Sequence, residues 1–121
     1  MFARALHPTT GRRLGRAWRT DGVTGYDLCF SAPKSVSTLW AIGGPQVPRE
    51  VAAAHAAAVR AGLDYLEAHA AVSRRGRDGL EQATTGGFAS AVFDHRTSRA
   101  GDPQLHSHAL VLNKVRCADG V

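Results

Sequence analysis

The chain has few cysteines and no long apolar segment, which argues against several classes of protein. Its 121 residues include two cysteines, Cys29 and Cys117, which form no Cys-x-x-Cys pair. A disulfide framework and a thiolate zinc site are therefore disfavoured, and we expect a reducing, cytoplasmic location. No apolar run approaches the length of a membrane span, and the N-terminus lacks the apolar core of a signal peptide. We therefore expect no membrane span.

Acidic residues are scarce relative to basic ones. Ten Asp and Glu stand against fifteen Lys and Arg, which gives a net charge of +5. Such a balance favours an anionic partner, although a solvated basic surface has the same composition. Five arginines lie in the first two dozen residues: Arg4, Arg12, Arg13, Arg16 and Arg19. We expect one domain at most, with a basic N-terminal arm at residues 1–25 and a core at residues 26–115.

Hydrophobic periodicity predicts the order strand, helix, helix, strand, strand. The alternating run at 26–31 indicates a strand, and Pro33 suits the first turn of a helix that ends near Ile42. The remaining predicted elements are a helix from Pro48 to about residue 74, a mobile connection, and strands at 87–94 and 105–115. This order favours an α+β fold, an antiparallel sheet with helices on one face.

Three histidines near the end of the chain are spaced for a metal ion. His106 and His108 are two residues apart in a predicted strand, so their imidazoles leave the same face. His95 closes the preceding strand, and antiparallel pairing would bring it beside the other two. Three imidazoles leave coordination positions open for water or substrate, as a catalytic metal site requires. We therefore predict a metal site formed by His95, His106 and His108.

Two further residues have an expected role near this site. Asp27 alternates with Leu28 on the first strand and is a candidate to orient a metal-bound imidazole, although a structural aspartate at a strand edge or turn is also consistent. His55 falls on the apolar face of the long helix, where we expect a packed, hydrogen-bonded histidine rather than a ligand.

Two long segments resemble a known family. Residues 26–37 (YDLCFSAPKSVS) and residues 93–113 (FDHRTSRAGDPQLHSHALVLN) are similar to conjugative relaxases found fused to helicases (TrwC/TraI-like), which are members of the histidine-hydrophobe-histidine (HUH) endonucleases. The similarity extends over roughly residues 2–115, with both motifs in the family's order. It implies a relaxase core, here incomplete: a sheet with helices on one side, and binding of single-stranded DNA at a plasmid transfer origin.

The resemblance also implies roles for individual residues. His95, His106 and His108 would hold a divalent metal, Mg²⁺ or Mn²⁺ with Zn²⁺ as an alternative, and Asp27 would assist the catalytic centre. A downstream helicase domain would be a partner in the full-length protein. We further expect several basic residues to contact DNA: Lys34, Arg12, Arg13, Arg96 and Arg99.

Two departures from the family pattern matter. Ser107, between the paired histidines, is polar rather than hydrophobic. Family members also carry nucleophilic tyrosines near the N-terminus, ahead of the first motif, whereas this sequence contains only Tyr26 and Tyr65. Tyr65 lies on the long helix, and Tyr26 is expected to point from the first strand toward the core. We therefore expect this chain to be a partial relaxase domain that does not nick DNA alone.

Two other functions remain open at this stage. One is a non-catalytic module that binds single-stranded DNA, in which the histidines are merely polar. The other is a cupin-like metal-dependent oxygenase, which also uses a His-x-His pair with a further histidine. Cupin barrels need many short strands, so the long Ala-rich helix disfavours the second alternative.

Overall fold

The computed structural model describes Leu6, residues 9–13, Gly15 and residues 17–117. Its elements, in chain order, are β1 (Gly25–Ser31), α1 (Lys34–Ile42), α2 (Val47–Ala70), β2 (Val72–Arg75), a short 3₁₀ turn (Arg77–Gly79), β3 (Glu81–Thr97) and β4 (Pro103–Cys117). The four strands form one sheet in the order β1-β4-β3-β2. The predicted α+β class, with an antiparallel sheet and two helices, is confirmed.

The long helix ends earlier than its sequence pattern predicts. Helix α2 stops at Ala70 rather than near residue 74, and the next residues form strand β2. Strand β2 pairs antiparallel with β3, from Val72 opposite Thr84 to Arg75 opposite Glu81. Strands therefore occupy much of the segment predicted as a connection, since β2 covers Val72–Arg75 and β3 begins at Glu81. The backbone groups of residues 72–75 are satisfied by a sheet neighbour that single-sequence periodicity does not reveal.

Contacts divide the chain into two compact units, each of which gathers segments distant in sequence. The first unit consists of residues 1–27, 66–91 and 110–121, and the second of residues 28–65 and 92–109. The sequence-based division into an arm at 1–25 and a core at 26–115 stays a prediction. Among the described residues, no helix is long and apolar enough to cross a membrane.

In the second unit, the two helices pack against every second residue of β4, that is, against the side chains on one face. Val59 of α2 is buried, as are Leu105 and Ala109 of β4. Helix α2 approaches β1 closely at Gly62, where an added Cβ would lie 2.8 Å from the Phe30 ring. Glycine is needed there because any side chain would collide with the aromatic ring.

The first unit contains β2, the first residues of β1 and β3, and the last residues of β4. The backbone N–H of Asn113 donates to the carbonyl of Thr24 at 3.0 Å. Glu67, in the last turns of α2, accepts a hydrogen bond of 2.9 Å from the backbone N–H of Phe88. Gly87 precedes that residue with φ +96°, and an added Cβ would overlap the Glu67 carboxylate. Glycine is therefore favoured at position 87, both by the positive φ and by the space that the Glu67 side chain occupies.

Candidate metal centre and basic surface

Three imidazoles converge on the sheet of the second unit. The ring centroids of His95, His106 and His108 lie 5.1 to 5.3 Å apart in all three pairs. One nitrogen from each ring lies within 4.8 Å of the others, in an arrangement that could hold a metal ion. The three residues predicted as ligands are therefore brought together.

Strand alternation explains why these rings share one face. Along β4, Leu105, Ser107 and Ala109 are buried, whereas the intervening His106 and His108 are half-buried. His95 is exposed on β3. Because successive strand side chains leave opposite faces, packing of residues 105, 107 and 109 directs the two imidazoles to the other face.

The ring of His106 is oriented by its own strand. His106 Nδ1 lies 3.0 Å from the carbonyl oxygen of Gln104. A carbonyl oxygen only accepts hydrogen bonds, so Nδ1 carries the proton and donates. The proton on Nδ1 leaves the lone pair on Nε2 free to bind a metal, which is the tautomer a ligand histidine needs.

A hydrogen-bonded chain lies on the opposite face of the same strands. The Ser107 hydroxyl donates to Asp94 Oδ1 at 2.6 Å and lies 2.9 Å from His55 Nε2. Ser107 is fully buried, with 0% of its surface exposed. The prediction that His55 is a packed, hydrogen-bonded histidine is therefore confirmed. The sequence did not reveal that Asp94 and Ser107 complete the chain.

The turn between β3 and β4 is tied to the start of α1. The turn closes through a hydrogen bond of 2.9 Å from the backbone N–H of Ser98 to the carbonyl of Asp102. Lys34 donates from Nζ to the carbonyl of Pro103 at 3.1 Å, and the same nitrogen lies 3.7 Å from the Asp102 carboxylate. The guanidinium of Arg96 lies 5.8 Å from the centre of the Trp40 ring. Lys34 and Arg96 therefore have intramolecular partners in addition to their proposed DNA contacts.

A second group of cations lies in the first unit. Lys114 Nζ lies 4.5 Å from the centre of the Trp18 ring, a cation–π contact. Burial, followed by repulsion from the Arg13 charge, lowers the pKa of Lys114 below its usual value of 10.5. Arg13, predicted to bind DNA, therefore shares a positive field with Lys114, which the sequence analysis did not single out.

The remaining predicted residues have described positions but untested roles. Asp27 is exposed on β1 and belongs to the first unit, so its role beside the histidines stays a prediction. Tyr26 is 54% exposed, and the expectation that it points into the core is wrong. It lies on β1, an edge strand of the sheet, where fewer neighbours cover it. Arg12 and Arg99 are exposed, and their DNA contacts stay predictions.

Comparison with known proteins identifies one family. A family model described as TrwC relaxase matches residues 1–121. The multifunctional conjugation protein TraI of Escherichia coli (strain K12) is 43% identical over 89 residues, which are 74% of this chain and 5% of that protein. The chain therefore corresponds to a small part of this curated relative.

Solved structures give the same result for the fold. The metal-bound structure of the conjugative relaxase TrwC with oriT DNA superposes with a TM-score of 0.78 at 39% identity, covering 94% of this chain and 39% of that one. TrwC complexed with a 27-mer DNA comprising the recognition hairpin and the cleavage site gives 0.73 at 38% identity, with coverage of 88% and 39%. The chain spans less than half of these relatives.

Proposed function

Because the chain belongs to the TrwC relaxase family, we propose that it supplies the metal-binding part of a relaxase acting on single-stranded DNA at a transfer origin. The observation that carries the proposal is the convergence of His95, His106 and His108, with ligand nitrogens within 4.8 Å of one another. His95 is exposed, and His106 and His108 are half-buried, so solvent reaches the three rings. A phosphate oxygen could therefore approach from that side.

The donor set fits a divalent cation. Three neutral imidazoles supply no negative charge, so a bound ion keeps its full positive charge toward a polyanionic substrate. Mg²⁺ or Mn²⁺ is the proposed ion, with Zn²⁺ as the alternative that imidazole ligands suit. When bound, such an ion supplies Lewis-acid stabilisation of charge on the non-bridging phosphate oxygens. The protein's contribution is to hold the three rings on adjacent strands, where neither ligand strand can shift freely.

The basic residues have a proposed role in tracking the DNA backbone. Arg12 and Arg13 belong to the first unit, where the neighbouring Lys114 adds positive charge. Arg96 directly follows His95 in the sequence, and Arg99 comes three residues later. Lys34 reaches the β3–β4 turn and is 62% exposed in its side chain, so a phosphate could replace its acidic neighbour. Such contacts position a strand without reading its sequence.

The proposed reaction is a transesterification. A tyrosine oxygen forms a bond to the scissile phosphorus, the bond from phosphorus to the 3′ oxygen breaks, and the phenolic proton passes to that leaving oxygen. The products are a 5′-phosphotyrosyl link and a free 3′-hydroxyl. We propose that the nucleophile is neither Tyr26 nor Tyr65, that a helicase domain accompanies this segment in the full-length protein, and that the protein works in the cytoplasm.

Metal titration separates this proposal from its main alternative. Calorimetry with Mn²⁺ should show one site in the wild-type chain, and single-stranded transfer-origin DNA should bind more tightly once the metal is present. DNA binding without any metal uptake would favour the non-catalytic module instead. The cupin-like alternative is disfavoured by the fold, since the described residues form one four-stranded sheet with a 24-residue helix.

A further inference from the structure

Ser107, the polar residue between His106 and His108, is hydrogen-bonded to one residue of β3 and one residue of α2. Ser107 lies at 0% exposure, yet its hydroxyl makes two hydrogen bonds: 2.6 Å to Asp94 Oδ1 and 2.9 Å to His55 Nε2. No described side-chain nitrogen or oxygen that is buried lacks a hydrogen-bond partner. The departure from a hydrophobic residue at this position is thus compensated by two residues elsewhere in the sequence.

The direction of each hydrogen bond follows from counting protons. A serine hydroxyl has one proton, and a carboxylate can only accept, so Ser107 donates to Asp94. The hydroxyl oxygen must then accept from His55, which requires a proton on His55 Nε2. All hydrogen bonds of this network therefore point in one direction, from the imidazole of His55 in α2 through the hydroxyl of Ser107 in β4 to the carboxylate of Asp94 in β3.

Two residues of this hydrogen-bond network are sequence neighbours of the proposed metal ligands. Asp94 immediately precedes His95, and Ser107 separates His106 from His108. The hydrogen bond between Asp94 and Ser107 therefore joins β3 and β4 next to the three histidines. It lies on the face of the strands opposite to the imidazoles. Since strand backbones transmit side-chain position over a single residue, fixing 94 against 107 also fixes the separation of the three rings.

We propose that His55 and Asp94 are positioning residues that act through Ser107 to hold the three histidines at metal-binding separation. The inference rests on the proposed function, because it assumes that the histidines bind a metal. Neither residue is a proposed ligand of the ion. Their effect is to reduce the rearrangement that the apo site must undergo, and outer partners of metal ligands typically alter metal affinity ~10–100-fold.

The test uses the full 121-residue chain and Co²⁺, whose visible absorption reports both affinity and ligand geometry. Ser107→Ala removes the central hydroxyl, and His55→Leu removes the donor. Both should weaken Co²⁺ binding ~10–100-fold and alter the absorption envelope. Ser107→Thr keeps a hydroxyl and His55→Gln keeps an N–H donor, so each should remain within about threefold of wild type, on the same scale.

Val59→Ala provides the matched control, because Val59 is buried one turn beyond His55 on the same helix and belongs to no hydrogen-bonded chain. It should lower thermal stability and leave Co²⁺ affinity and spectrum unchanged. If Ser107→Ala and His55→Leu behave like Val59→Ala, the network is only structural and the proposal is overturned.

Three further outcomes are also interpretable. If His55→Leu does not fold, Ser107→Ala and Ser107→Thr still separate the two roles, since both keep a residue of similar size at the buried position. In the wild-type chain, ring ¹⁵N shifts should show His55 protonated at Nε2, and an Nδ1-protonated ring would contradict the network. Failure of the wild-type chain to bind Co²⁺ would overturn the proposed function as well, and is thereby distinguished from failure of the positioning role alone.

Discussion

Lys34 donates a hydrogen bond of 3.1 Å from Nζ to the carbonyl oxygen of Pro103, which links the first residue of α1 to the first residue of β4. The same nitrogen lies 3.7 Å from the Asp102 carboxylate, and both side chains are 62% exposed. An exposed pair of this kind contributes at most ~1 kcal/mol to stability. Lys34 is therefore available to exchange its carboxylate neighbour for a phosphate.

This pairing gives the first prediction, which concerns DNA affinity. Lys34→Met should weaken binding of single-stranded DNA, because one cation is lost. Asp102→Asn should strengthen it, because the competing anion is removed while the Pro103 carbonyl remains. Fluorescence anisotropy with a labelled oligonucleotide at low salt measures both. Equal affinities for wild type and both variants would show that Lys34 serves only the turn.

The second prediction concerns the ligands themselves. Substituting His95, His106 or His108 by alanine should reduce Mn²⁺ affinity by more than the ~10–100-fold expected for an outer partner, since a coordinating nitrogen is removed. Calorimetry measures the loss. His69→Ala, at an exposed position in the last turn of α2, is the control and should bind Mn²⁺ as wild type does. Retention of full affinity in any ligand variant would remove that residue from the site.

Asp27 is the subject of the third prediction. Asp27→Asn should weaken metal affinity on the order of 10-fold if the carboxylate orients a ligand ring, because the amide cannot supply the same charge. Asp64→Asn, on the exposed side of α2, changes net charge identically and serves as control. If both variants bind Mn²⁺ equally, Asp27 has no role at the metal.

The fourth prediction concerns the basic arm. Affinity for single-stranded DNA should fall with salt at a log–log slope of about −0.7 per contacted phosphate. Replacing Arg12 and Arg13 together by glutamine should reduce the magnitude of that slope by about 1.4, if each meets one phosphate. Arg49→Gln with Arg60→Gln on α2 removes equal charge at a distance in sequence. An identical slope in both double variants would mean that net charge alone matters.

The fifth prediction is that neither tyrosine of this chain becomes linked to DNA. Tyr65 lies on α2, and Tyr26 alternates with Asp27 along β1, so their side chains leave opposite faces of the strand. Incubation with a transfer-origin oligonucleotide and Mg²⁺ or Mn²⁺, followed by denaturing electrophoresis, should show no covalent adduct. An adduct that disappears in Tyr26→Phe would make Tyr26 the nucleophile.

Local signals were sufficient to predict the elements that carry the site. Alternation at residues 26–31, Pro33 at a helix start and the His-x-His spacing each depend on neighbours within a few residues, and each agrees with the structure. The hydrogen-bonded role of His55 was also predictable, because a polar ring on an apolar helix face needs a partner.

Pairings between distant segments were not predictable in this way. Strand β2 exists because residues 72–75 find a partner in β3, and its four residues have no clear period of their own. The partners of Ser107 lie 52 and 13 residues away, so nothing in the local pattern identifies them. The exposure of Tyr26 was not predictable either, because it depends on β1 being an edge strand, which is a matter of strand pairing.

The two faces of β4 carry different side chains, so the site depends on which face each residue of the strand points to. Imidazoles leave one face at 106 and 108, and the buried hydroxyl leaves the other at 107. A single-residue insertion within the strand would exchange these faces, placing imidazoles under α2 and the hydroxyl in the ligand position. The turn around Gly101, which has a positive φ of +84° and open space about it, lies outside that constraint. Transplanted into another sheet, the segment from Asp94 to His108 would keep its three imidazoles on one face only if its residues kept the same alternation relative to the neighbouring strands.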